Sequence, residues 1–112
     1  MRTFLLVLLI AIVAVPVFAA VETWTNVTLV DAMCASKVKA NPDSHTTQCA
    51  LQCGSSGMGI LTASGDFLKF DDAGSKQAIG VLKATKKKDH LRATVVGERA
   101  GDSIKVQSVK LD

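Results

Sequence analysis

Apolar residues follow two patterns along the chain. Across residues 3–15 they run almost unbroken in Leu, Val, Ile and Ala, behind a short positive start at Met1-Arg2. Past residue 19 they fall into short stretches that alternate with polar positions, the period-two mark of half-buried strands. In residues 23–31, Val27 and Leu29 alternate with polar neighbours, while Trp24 is out of phase and predicts a bulge. Residues 59–63 and Phe67–Phe70 flank Ser64-Gly65-Asp66, a short turn that makes them a hairpin. Leu91, Ala93 and Val95 alternate with Arg92, Thr94 and Val96, after which the stretch from Gly97 to Gly101-Asp102 is expected to turn the chain. Ile104 and Val106 then begin a fifth strand, whose phase shifts at Val109 and Leu111.

Two helices fit between these strands. The first is expected over residues 45–53, capped by Asp43 or Ser44, whose side-chain oxygen would satisfy an orphan backbone N–H. Gly54 suits its left-handed exit. The second is expected over residues 75–84, with Ala78, Ile79 and Leu82 on one face and Asp71-Asp72 as its cap. Gly80 inside it costs up to about 1 kcal/mol relative to Ala.

The order is strand, Cys-bearing helical insertion at about residues 32–58, hairpin, helix, hairpin. This predicts a mainly β domain with two short helices: a small five-stranded OB-like barrel over residues 20–112. An open sheet with helices on one face is the other arrangement the order allows.

The apolar head changes the picture of where such a domain works. Pro16-Val17-Phe18-Ala19 places small or medium residues before a cut after Ala19, so residues 1–19 read as a secretory signal peptide. Their apolar run is shorter than the roughly 20 residues that span a bilayer. The expected product is secreted or periplasmic, with no membrane span after cleavage. Outside the head, 12 Lys and Arg face 10 Asp and Glu, a balance too even for a dedicated nucleic-acid binder.

In an oxidising compartment the cysteines become the informative residues. Cys34 ends the first strand, and His45-x3-Cys49-x3-Cys53 follows. Residues four apart share a helix face, so Cys49 and Cys53 are expected to point the same way and Cys34 to meet them. Three chemistries compete for this site. A disulfide from Cys34 to Cys49 or Cys53 is the default for a small exported domain and leaves one thiol over. A Zn or Cu site would use Cys34, His45, Cys49 and Cys53. Against it, His45 and Cys53 stand about 12 Å apart along a helix, and no C-x2-C knuckle is present. A catalytic or redox thiol would need a neighbouring base or cation, and neither a C-x-x-C nor a nucleophile motif occurs.

Other features read more plainly. Lys86-Lys87-Lys88 is the main basic cluster, a candidate polyanion contact or a solvated face. The stretch Gly54-Ser55-Ser56-Gly57-Met58-Gly59 lacks the Lys-Ser/Thr of a phosphate loop and is expected to be a plain connector. His90 is expected at the surface and Trp24 in the core. Asn26-Val27-Thr28 matches a glycosylation sequon within a strand.

Trp24 with Asp31-x2-Cys34, then Cys49-x3-Cys53, then the hairpin ending Phe67-Leu68-Lys69-Phe70, resemble a group of small exported bacterial proteins of unknown function. The run from His90 to Gly97 into Gly101-Asp102-Ser103-Ile104-Lys105-Val106 extends the resemblance over about residues 23–111. It implies a bacterial envelope protein with an OB-like fold, and it carries no reaction or ligand. Many of that group place a histidine four residues after the first Cys, where this chain has Val38. The expectation is therefore a non-enzymatic binding or structural module braced by a disulfide, with a cell-envelope glycan or protein as partner. A thiol- or metal-handling protein is the alternative.

Overall fold

A computed structural model describes Ala11, Ile12 and residues 20–112, so the expected signal peptide lies almost wholly outside the described residues. Five strands form a closed barrel: β1 (Val21–Asp31), β2 (Met58–Leu61), β3 (Phe67–Phe70), β4 (Arg92–Ala100) and β5 (Ser103–Leu111). Around the barrel the order is β1-β2-β3-β5-β4, with β4 returning to β1. Every pair is antiparallel except β3 with β5. The order is that of an OB-type barrel, and closure leaves no free sheet edge. Among the described residues no helix is long and apolar enough to cross a membrane.

The long first strand serves two neighbours. Its first part pairs with β4 and its last four residues pair with β2. The register slips between Trp24 and Val27, as the misplaced Trp predicted, and Asn26 sits there at φ 54. Asn tolerates that left-handed conformation better than most residues. The last strand pair departs from expectation. Gly97 does not begin a turn; β4 runs on to Ala100, and Glu98 and Arg99 pair with Lys105 and Ile104. A Cβ at Gly97 would run into the backbone of Lys105, so this glycine marks close strand approach at a register shift. Gly101, at φ 60, makes the actual turn.

Alternation explains the core. Ala93, Val95, Ile104 and Val106 face inward with Leu29, Ile60 and Leu68. Helix α3 (Asp72–Ala84) closes the barrel with Ala78 and Leu82. It begins three residues earlier than expected because Asp71 caps it: Asp71 Oδ1 accepts from Gly74 N at 3.0 Å and also from Val106 N at 3.2 Å.

Residues 32–57 pack on both sides of the end of β1: Ala35 lies on the outward face beside Val30, while Ala50 joins the main core and His45 meets Asp31. They hold α1 (Ala35–Val38), a tight turn at Pro42–Ser44, α2 (Thr47–Gln52) and another tight turn at Gly54–Ser56. Ala35 meets Val30 and Leu61 in a second small core, with Val38 and Phe67 packed against it. This cover explains why residues 27–31 are buried on both faces. The helix expected over 45–53 is shorter, because Thr46 provides the cap, its Oγ1 accepting from Cys49 N at 3.1 Å. Asp43 and Ser44 belong to the preceding turn, and Gly57, at φ 99, takes the left-handed position assigned to Gly54.

Candidate functional site

The site forms where β1 ends. Val27, Leu29 and Asp31 share one face of the strand, so Asp31 occupies an inward position where an apolar residue would ordinarily stand. Its side chain is fully buried. Oδ1 accepts from His45 Nε2 at 2.9 Å and Oδ2 accepts from Cys34 N at 3.0 Å, so both carboxylate oxygens have donors. His45 is itself only 5% exposed.

Backbone bonds bring the two cysteine stretches together. Ala32 N donates to Gly57 O at 2.8 Å, and Met33 N donates to Ser56 Oγ at 3.1 Å. Ser56 Oγ in turn donates to Cys53 O at 2.7 Å. The segment expected as a plain connector therefore lashes the end of α2 to the end of β1. As a result the Cys34 and Cys53 thiols and an Asp31 carboxylate oxygen all lie within 4.8 Å of one another.

Cys34 lies beside Cys53, at the end of the helix expected over residues 45–53, but Cys49, expected to share that face, is not with them. Cys49 lies one turn earlier, exposed and outside the cluster. All three cysteines are free thiols, so the anticipated disulfide is not formed in this structure. His45 precedes α2 in extended backbone, and its bonded nitrogen points to Asp31. Lys86, Lys87 and Lys88 are exposed in the link after α3, where the carbonyls of Lys87 and Lys88 accept from Thr47 Oγ1 at 2.7 Å and Thr47 N at 2.9 Å. Asp31 was visible in the sequence only as part of Asp31-x2-Cys34, without a role in the site. Its signal was a charge in the inward row, two positions after Leu29 and three before Cys34.

The electrostatics favour neutral sulfur. Burial, then the hydrogen bond and charge of Asp31, then Cys53, push the Cys34 thiol up to about 11. A thiolate nucleophile needs the opposite surroundings, a base or cation beside it. Two thiols beside a carboxylate can close a disulfide or receive a cation. Next to this cluster, Ser55, Gly57, Lys69, Asp72 and Lys76 line a groove of about 340 Å³.

No family model, curated protein or solved structure matches the chain.

Proposed function

We propose that the chain is an exported, non-enzymatic binding or structural module whose insertion is fastened to the barrel by a Cys34–Cys53 disulfide. The observation that carries this reading is the meeting of those two thiols, within 4.8 Å, at the junction of β1 and α2, while Cys49 stands apart. To reach a disulfide bond length of about 2.05 Å each sulfur moves at most about 1.4 Å. Both thiols give up a proton and an electron to a disulfide oxidant, which is itself reduced to two thiols. Closing a loop of about 20 residues stabilises by about 3 kcal/mol in the chain-entropy model.

Residues 1–19 serve in this reading as the signal peptide, and the protein works in a secreted or periplasmic setting of a bacterial cell. The partner is a cell-envelope glycan or protein. The near-even charge of the rest of the chain disfavours nucleic acid, and the carboxylate beside Cys34 disfavours nucleophilic chemistry there. The test is cysteine mapping by mass spectrometry on exported material, joined to a binding screen against cell-wall glycans. A Cys34–Cys53 peptide with free Cys49 is expected. A Cys34–Cys49 peptide would remove the brace, and turnover of a substrate would remove the non-enzymatic class.

A further inference from the structure

We propose that the reduced protein binds one zinc ion through Cys34 Sγ, Cys53 Sγ and an Asp31 carboxylate oxygen, with His45 orienting the carboxylate from behind. The proposal goes beyond the brace reading and concerns the same cluster before its thiols are oxidised.

Three observations carry it. First, the donors converge: two sulfurs and one carboxylate oxygen lie within 4.8 Å of one another, and they come from two separate segments, β1's end and α2's end. Tetrahedral zinc with bonds of about 2.3 Å to sulfur sets two sulfurs about 3.8 Å apart, a contraction of no more than about 1 Å. Second, the cluster is rich in potential negative charge; among the described residues the basic side chain bonded to Asp31 is His45. Third, the outer layer already exists. His45 Nε2 donates to Asp31 Oδ1, and the Cys34 backbone N–H donates to Oδ2. Carboxylates that ligate metals are characteristically held by such hydrogen bonds.

This donor set differs from the four residues read from the sequence. Cys49 is exposed and outside the cluster, and His45 acts through Asp31. Three protein ligands leave the fourth zinc position to water. Sulfur selects zinc over magnesium or calcium, which prefer all-oxygen sites. On binding, two S–H protons leave for solvent and two Zn–S bonds form; no electron moves. Disulfide formation removes both sulfur ligands, so zinc and the bridge exclude each other.

The test uses the full chain, reduced and stripped of metal, then supplied with one equivalent of zinc sulfate. Iodoacetamide labelling read by mass spectrometry is expected to show Cys34 and Cys53 protected at least 10-fold by zinc, with Cys49 labelled as before. This measurement needs no variant and so does not depend on a mutant folding. In competition with a colorimetric chelator, Cys49→Ser should keep zinc affinity within about 2-fold, whereas Cys34→Ser should lose about 100-fold or more. His45→Gln should lose about 10-fold. Cobalt in place of zinc should give a sulfur-to-metal charge-transfer band that Cys53→Ser weakens. Absence of zinc protection at Cys34 and Cys53, or equal protection of Cys49, overturns the proposal. The brace reading fails separately, by a different bridge in oxidised protein.

Discussion

His45 Nε2 donates to Asp31 Oδ1 at 2.9 Å across 14 positions of sequence, with both side chains inside the protein. A carboxylate in that position needs its donors, because an unmet buried charge is costly. Replacing His45 with Ala removes the hydrogen bond that Asp31 Oδ1 accepts from it and opens a hole between β1 and the insertion. The expected loss is about 3 kcal/mol, read as a lower urea midpoint. His45→Gln retains an N–H donor and should recover part of it. In a double-mutant cycle with Asp31→Asn the two losses should be strongly non-additive. An additive pair would mean that the contact contributes little.

Cys34 and Cys49 should differ in reactivity although both are free. Cys49 is exposed. Cys34 is half-buried, and burial together with Asp31 pushes its thiol up to about 11. Since the thiolate is the reactive form, iodoacetamide at pH 8 should label Cys49 much faster than Cys34 in metal-free reduced protein. Labelling of Cys34 should climb steadily toward pH 11. Linkage gives the matching sign for stability: a thiol raised on folding favours the folded state below its ordinary value of 9.0, and that contribution is lost as pH rises toward about 11. Cys34→Ser should flatten this part of the pH–stability curve. Equal labelling of the two cysteines at pH 8 would contradict the environment described for Cys34.

Asp43 and Arg92 fasten the insertion to the start of β4. Arg92 Nε and a terminal guanidinium nitrogen donate to the two carboxylate oxygens at 2.8 and 3.1 Å. The Arg92 hydrogen bond holds the Asp43 carboxyl below its ordinary value of 3.8. A depressed carboxylate contributes stability above the unfolded value and loses it as pH falls through the folded one. Asp43→Asn should therefore be less stable than the parent at neutral pH, by a modest amount because the pair is near the surface. Thermal melts should show the gap closing below about pH 3.8. A gap independent of pH would assign the effect to something other than this ion pair.

Strand number, barrel order and the Trp24 bulge were legible because period-two alternation and chain order carry them. The Asp71 cap was legible for a similar local reason: a side chain reaching three residues ahead needs no distant partner. What escaped was set at a distance. The turn expected at Gly97 was misread because a glycine signals a turn and a close strand approach alike, and only the neighbour at Lys105 distinguishes them. The cap on α2 moved to Thr46, with Asp43 held by Arg92, 49 positions away. The cysteine cluster was half legible. Cys34 and Cys53 were named, but their grouping with Asp31 depends on bonds from Ala32 and Met33 to Gly57 and Ser56, which no spacing rule encodes.

Two glycines in α3 should respond to the same substitution with opposite signs. At Gly80 a Cβ would meet nothing within 4 Å, and φ does not lie in the left-handed region. Gly80→Ala therefore trades the backbone entropy of a mid-helix glycine for a better helix former, and should stabilise by up to about 1 kcal/mol. Gly74 is buried where the first turn of α3 seats on β5. A Cβ there would fall 2.6 Å from Val106 Cβ and 2.8 Å from Asp71 Oδ1. Val106 Cβ is fixed to its strand, and Asp71 Oδ1 is the atom that caps the helix, so neither can yield cheaply. Gly74→Ala should destabilise by about 1–3 kcal/mol despite the better helix propensity of Ala. Chemical denaturation of the two variants beside the parent decides the matter. A stabilising Gly74→Ala would mean that α3 does not pack against β5 as closely as described, and that the barrel closes more loosely at this end.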